Sequence, residues 1–568
     1  MLALAQGALA RDPHPSKVEL TFNHFYTYAE LEKAVKDLAA AYPELLRLES
    51  IGKSHEGRDM WLMTLNNAKT GEDRAKPAMW IDANVHGNEV QGSETVLYTI
   101  WTLTKSYGGV EKLTKLMDEK AFYFLPMVNP DGREHWFQKP NTSSSSRSGT
   151  RPTDEDHDGL YDEDGYDDLD GDGAITFMWK KDPRGNWRRS NKDPRIFERV
   201  ERDEHGDYVM LGSEGIDNDG DGQVNEDDPG GYDMNRNWPS DWQPEYIQFG
   251  SGDYPFSYSE TACIGRFLLD HPNVAAVQSY HNAGGMILRG PGVQYREDAF
   301  PREDMAVYEE IGKTGELMLP HYKYMIIWKD LYRVHGGFVN WTSEGLGIFS
   351  FTNELWSAAQ YFNEKDEPGF GGNREKRMKF ADLLEFGDLY RPLEPFKHPT
   401  YGDIEIGGFT QYASRVPPRF MLEELCHRNA AFTLYHAEQM PRLGFGEVEV
   451  KDLGGGLRSV TVQITNDGAV PTISARAAAK QIGARDFAEL VPATGSVVKV
   501  AASGTLEDKY LAPLALSRIR PERVWYEKGI PGHGERLYRW IVSGSGKAEV
   551  SYVSEKGGTI RRTVEVGR

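Results

Sequence analysis

His86 and Glu89 stand three residues apart in His86-Gly87-Asn88-Glu89, where the apolar run Ala78 to Val85 gives way to a helical pattern starting at Val90. At such a strand-to-helix corner both side chains can point at one spot beyond the edge of a sheet. Imidazole and carboxylate are zinc ligands, and a catalytic zinc wants three protein ligands with one position left open. The pair alone is a weak signal, since a surface histidine beside a glutamate favoured by the helix macrodipole reads the same way. A third ligand should come from a neighbouring strand end. His281 closes the run Val274 to Tyr280 and precedes Asn282-Ala283-Gly284-Gly285, where the backbone can turn sharply. Alone, it fits a satisfied core histidine equally well.

Two further groups could act beside such a centre. The apolar run Gly347 to Phe351 leads to Glu354. A carboxylate buried there needs a partner, and serves either as a structural acid or as a base beside a positive centre. Within Tyr232 to Trp238, Asn235 and Arg236 offer an amide and a forked donor suited to gripping a carboxylate bidentately. A surface arginine in a loop is the plain alternative.

The elements that must hold these residues follow from periodicity. Residues 26–41 and Val90 to Thr104 read as helices, and Trp61 to Leu65, Ala78 to Val85 and Ala121 to Val128 as strands, the last ending in the turn signal Asn129-Pro130-Asp131-Gly132. Residues 138–230 break the rhythm and read as a long insertion rich in Ser, Gly, Asp and Arg. The alternation returns with a helix at Ser257 to Leu269, a strand at Val274 to Tyr280, a helix near 303–318 and a long helix near 419–439 stopped by Pro441. This predicts an α/β domain over residues 23–442, with helices on the faces of a central sheet. From 443 to 568, short alternating strands separated by turns predict a β-sandwich domain.

The 568-residue chain has 39% hydrophobic residues and a formal charge of −22, which fits a globular protein and argues against binding nucleic acid through phosphates. No apolar run reaches the length of a membrane span. Two cysteines, Cys263 and Cys426, exclude a disulfide scaffold and a cysteine zinc cluster, leaving at most one bridge between them. The start, MLALAQGALA within residues 1–22, reads as the tail of a secretory leader or as a flexible terminus.

Residues 154–172 and 214–228 hold 18 acidic side chains and no Lys or Arg. Three stretches share one pattern of alternate aspartates followed by glycine: Asp154, Asp156 and Asp158; Asp168, Asp170 and Asp172; Asp217, Asp219 and Asp221. This is the first half of an EF-hand-like calcium loop. None keeps the full twelve-residue form, although Asp162, Asn225 and Asp228 fall at later ligand positions. The competing reading is a solvated, self-repelling acidic loop. Millimolar calcium outside the cell would suit such sites and, with the leader-like start, predicts a secreted or periplasmic protein.

Taken together, HGNE (86–89), NPDG (129–132), DMNRNW (233–238), SYH (279–281), YRVHGGFVNW (332–341) and SFTNEL (350–355) resemble the zinc carboxypeptidase family, the carboxypeptidase A-like metallopeptidases. The resemblance covers most of residues 24–440 and implies a mixed sheet flanked by helices. It also implies that His86, Glu89 and His281 bind zinc and that Glu354 is the general base acting on a zinc-bound water. Asn235 and Arg236 would hold the terminal carboxylate of a peptide, Tyr332 would close over it, and Asp233 would orient His86. The cation that polarises the scissile carbonyl is expected to be Arg188, with Lys180 as competitor. Asn88 stands where the family's digestive members have Arg, which resembles the regulatory branch. Val339 takes the pocket-floor position where members cleaving basic residues have Asp, and Arg289 suggests a preference for an acidic terminus. Two other readings stay open: a cell-wall peptide hydrolase with the same chemistry, and a calcium-dependent binding protein whose peptidase fold is inactive.

Overall fold

The computed structural model describes residues 14–138, 140–142, 147–155, 157–358, 374–413, 415–506 and 519–567. The leader-like first residues and Asp156 lie outside these. Four strands open the chain: β1 (Leu46–Lys53), β2 (Asp59–Leu65), β3 (Ala78–Ala83) and β4 (Ala121–Leu125). The insertion contributes β5 (Phe177–Gly185), β6 (Trp187–Arg189), β7 (Phe197–Arg199) and β8 (Gly206–Ser213), followed by β9 (Val274–Asn282), β10 (Met286–Arg289), β11 (Lys323–Ile326) and β12 (Phe349–Leu355). β1 to β4 and β9 to β12 form one eight-stranded mixed sheet in the order β1-β2-β4-β3-β9-β12-β10-β11.

At its centre β4, β3, β9 and β12 run parallel. Every residue of these four strands is buried. Strands covered on both faces are largely apolar, which is why they read as runs and not as alternation, with polar residues gathering toward their C-terminal ends. The helix Gln91–Ser106 packs against Leu422–Glu438 on one face, while Ser259–Asp270 lies against β1. Thr27 and Glu30 form a capping box that starts the helix Tyr28–Ala41.

Two local expectations change. Asn129-Pro130-Asp131-Gly132 opens a helix, Pro130–Phe137, and not a bare turn: the Asn129 side chain accepts from the Gly132 N–H and Pro130 sits in the first turn. The insertion, expected as loop, builds a six-stranded sheet with β13 (Tyr390–His398) and β14 (Gly402–Phe409) in the order β13-β14-β5-β8-β6-β7. A small aromatic core of Trp179, Phe197 and Tyr208 gives it enough apolar surface to fold.

Among the described residues eight more strands run from Leu443 onward and pair as two four-stranded antiparallel sheets. Val460, Val462, Tyr538 and Trp540 from one sheet and Leu490, Val550 and Tyr552 from the other share a single core, giving the predicted sandwich. Cys263 and Cys426 are both free thiols. Among the described residues no helix is long and apolar enough to cross a membrane.

One buried ion pair ties the site-bearing loop to the scaffold. Arg133, fully buried, meets Glu94 at 2.5 Å and donates to Asn84 Oδ1 (3.2 Å), the Val90 carbonyl (2.9 Å) and the Tyr26 carbonyl (2.8 Å). Removing one partner of such a pair leaves the other charge stranded, at a cost of about 3–5 kcal/mol. Arg133→Met is expected to lower the unfolding midpoint sharply in a denaturant titration. The double variant with Glu94→Gln should recover much of the loss, and equal midpoints for all three proteins would contradict this assignment.

Candidate active site

The loop after β3 is folded round Asn84, which adopts a left-handed backbone (φ 60°) and donates through Nδ2 to the carbonyls of His86 (2.7 Å) and Gly87 (3.2 Å). This turns both His86 and Glu89 toward the C-terminal ends of the parallel strands. β9 brings His281 to the same place, and the register of the parallel pair sets Glu354 of β12 beside it. His86 Nδ1 lies 3.0 Å from Glu89 Oε1, His281 Nδ1 2.9 Å from Glu89 Oε2, and the two Nδ1 atoms 3.2 Å apart. All three residues are buried.

The tautomer of His86 follows from its other nitrogen. Nε2 faces Asp233 Oδ1 at 3.1 Å, so it carries the proton and Nδ1 presents a lone pair to the centre. Burial opposes the Asp233 charge, but Arg236, His86 and Arg147 outweigh it and hold the carboxyl well below its usual range. The donor set fits zinc. Two nitrogens each about 2.0–2.1 Å from a tetrahedral zinc stand roughly 3.3 Å apart, close to the separation found here.

Glu354 is the remaining acid. Its Oε2 is buried and has no hydrogen-bond partner among the described residues. Burial, then the nearby Glu89 charge, push this carboxyl up to about 7 in the protein alone, while His281, Arg147 and Arg415 oppose the rise. A carboxylate balanced near neutrality can both take and return a proton.

His86, Glu89, His281 and Glu354 line one cavity of about 230 Å³ together with Asn235, Arg236, Tyr332 and Val339. Asn235 uses its Oδ1 to accept from the Phe338 N–H at 2.9 Å, leaving its amide N–H groups as donors. Tyr332, 43% exposed, stands at the lip, and Val339 is buried with Leu288, Ile327 and Val334 along an apolar wall.

A family profile described as zinc carboxypeptidase matches residues 31–367. The chain belongs to the zinc carboxypeptidase family. Residues 442–565 match a second profile, described only as a domain of unknown function. Carboxypeptidase D of Drosophila melanogaster is 32% identical over 146 residues, which are 24% of this chain and 10% of that protein. A zinc carboxypeptidase of Saccharothrix mutabilis subsp. capreolus is 35% identical over 109 residues, 19% of this chain and 24% of that protein. The chain thus spans between about a tenth and a quarter of the length of these relatives. The crystal structure of carboxypeptidase A from Helicoverpa armigera aligns at 19% identity and a TM-score of 0.41, covering 59% of this chain and 66% of that one.

Other expected site residues are placed elsewhere. Arg188 lies on β6, half exposed and paired with Glu204 at 3.0 Å, and does not line the cavity. β6 turns Trp187 toward the aromatic core, so strand alternation sends Arg188 to solvent. Lys180 on β5 is likewise absent from the cavity wall. Besides Arg236 and Arg415, the cavity wall carries Arg147, at the start of the insertion. Its carbonyl accepts from the Gly87 N–H at 2.9 Å, and its guanidinium reaches Glu89 (3.0 Å) and Asp233 (3.5 Å). The signal for it was an arginine shortly after Asn129-Pro130-Asp131-Gly132, before the chain departs into the insertion.

Arg289 is also not a pocket residue. On β10, Met286 and Leu288 face one core while Ile287 faces another, and Arg289 follows Ile287. Its guanidinium is buried over Phe300 and Tyr308 and donates to Tyr324 Oη at 2.7 Å and the Gly290 carbonyl at 2.6 Å.

The acidic loops partly regroup. Asp217, Asp219 and Asp221 converge. Asp168 and Asp170 converge with the buried Glu214 and not with Asp172, which pairs with Arg391 at 3.2 Å. Asp219 also approaches the buried Asp164 and Glu226. Among the described residues neither Asp154 nor Asp158 joins such a group.

Replacing the group that orients a metal-bound imidazole typically weakens metal binding about 10–100-fold. Asp233→Asn is expected to do so, measured by competition with a chromophoric chelator. Unchanged affinity would remove Asp233 from that role.

Proposed function

We propose that this protein is a zinc-dependent carboxypeptidase that hydrolyses the last peptide bond of peptides ending in an apolar residue. The observation that carries the reading is the convergence of His86, Glu89 and His281 in the cavity that also holds Glu354, Arg147 and Arg236. His86 Nδ1, Glu89 and His281 Nδ1 would hold the metal. Bound there, zinc supplies a Lewis acid and lowers the pKa of water to about 7.

The chain's own groups do the rest. Arg236 and the Asn235 amide grip the α-carboxylate of the terminal residue, using binding energy away from the reacting bond to fix its position. Tyr332 covers the entrance, and the apolar wall around Val339 takes the terminal side chain. Arg147 donates to the scissile carbonyl oxygen as charge develops on it, a contribution of about 3 kcal/mol for one such donor. Glu354 takes the proton of the attacking water and returns it to the leaving amine as the C–N bond breaks.

Acidic C-termini, which would have favoured a cell-wall peptide hydrolase, lose the support of Arg289 because its guanidinium is buried elsewhere. An inactive binding protein is disfavoured by the complete ligand set and by the placement of Glu354.

We also infer that the insertion takes calcium. The grouping of Asp168, Asp170 and Glu214, and of Asp164, Asp219 and Glu226, supports this. The carboxylates are crowded: burial, with Asp170 and Asp172 nearby, pushes Glu214 up to about 7. Burial and the neighbouring Asp164 and Asp221 likewise push Glu226 up to about 7. A hard divalent cation relieves such repulsion, and an extracytoplasmic setting would supply it.

Three outcomes are expected. Glu354→Gln should lower kcat on a peptide ending in Phe by about 10²–10⁴-fold while zinc content stays at one per chain, and wild-type turnover should fall in the order Phe, Glu, Lys. Near-normal activity of the variant, or fastest release of Lys, would refute the mechanism or the pocket assignment respectively. Millimolar calcium should raise the melting temperature and a calcium-selective chelator should lower it, whereas superimposable curves would rule out the calcium sites.

A further inference from the structure

Three guanidinium groups reach the cavity, and shared carboxylates place them in sequence along it. Arg236 Nη1 stands 3.8 Å from Asp233 Oδ2. Arg147 bridges the same carboxylate (3.5 Å) and Glu89 (3.0 Å). Arg415 Nη1 lies 3.8 Å from Glu89 Oε1 and donates to the carbonyl of Asn282, the residue after His281, at 3.4 Å. The order across the site is therefore Arg236, Arg147, Arg415.

Arg415 is set apart in two ways. It lies beyond residues 31–367, the span matched by the family profile, in the segment joining β14 to the helix Leu422–Glu438. Its two polar contacts among the described residues are both long, while its side chain is 26% exposed and lines the cavity. Arg236 is committed to a terminal carboxylate and Arg147 to a scissile carbonyl. Arg415 keeps donors in a planar fork whose natural complement is a carboxylate.

A peptide with its α-carboxylate on Arg236 and its scissile carbonyl at Arg147 has its penultimate residue at Arg415. We propose that Arg415 recognises an anionic group on the upstream side of the scissile bond, the side-chain carboxylate of a penultimate Asp or Glu. The assignment rests on the carboxypeptidase reading and adds a second selected position to it. The competing role for Arg415 is a counter-charge to Glu89 and Glu354, which would act on every substrate alike.

The test uses N-acylated dipeptides Glu-Phe, Gln-Phe and Ala-Phe with the zinc-loaded full chain. Loss of one charge-assisted pair corresponds to about tenfold or more. Wild-type protein is expected to prefer Glu-Phe over Gln-Phe by at least about tenfold in kcat/KM, chiefly through KM. Arg415→Gln should abolish the preference, and Arg415→Lys, which keeps the charge and guards against a folding defect, should retain part of it.

Calorimetric binding of the same peptides to Glu354→Gln, with and without Arg415→Gln, reads recognition without turnover. Selective loss of Glu-Phe binding supports the proposal. Equal losses for all three peptides in both measurements, or no wild-type preference for Glu-Phe, overturn it. If wild-type protein cleaves none of the peptides yet Glu-Phe binding still depends on Arg415, the carboxypeptidase reading fails while the anion site stands.

Discussion

Two imidazole nitrogens 3.2 Å apart, facing the two oxygens of one buried carboxylate, make an arrangement suited to a cation. Lone pairs brought that close in a medium of low polarity repel one another unless a positive charge lies among them. The rest of the catalytic half can be understood as the means of enforcing this closeness. Parallel strands β3, β9 and β12 end at one edge. The left-handed Asn84 bends the loop back over that edge, and the Arg133–Glu94 pair anchors the loop from behind.

The surrounding charges are arranged by the same logic. Asp233 and Glu89 lie in contact with cations, Arg236 and Arg147 for the first, Arg147 and Arg415 for the second. Among the described residues the buried Glu354 Oε2 has no hydrogen-bond partner. The cavity therefore holds two acids paired with cations and a third, Glu354, whose carboxyl is pushed up by burial and by Glu89. Its apolar wall around Val339 excludes water from one side and strengthens these electrostatic effects.

Much of this was legible in the sequence because the main motifs sit on regular elements. His281 and Glu354 fall near strand ends where an apolar run stops, His86 and Glu89 fall in the loop just after β3, and Asn235 with Arg236 is a compact signal. Arg147 carries little local signal because it stands where the chain leaves for the long insertion, while Arg188, in mid-insertion, lies on β6 and faces outward. Arg289 was misread because a position close to a ligand in sequence can still face the other side of a strand, as the alternation on β10 dictates. Arg415 carried no local signal, since only the tertiary fold brings its segment to Glu89. In the insertion, alternating aspartates announced clusters, but the buried partners Glu214 and Asp164 come from outside each repeat and are visible only once β5 and β8 pair.

The central claim is that one metal ion sits among these three side chains. Anomalous diffraction from crystals of the zinc-loaded protein, collected on both sides of the zinc absorption edge, tests it most directly. The account predicts a single strong peak within bonding distance of His86 Nδ1, His281 Nδ1 and Glu89, with Glu354 close by and not coordinated. A peak elsewhere, or full loading with these three side chains turned away from the metal, would contradict it.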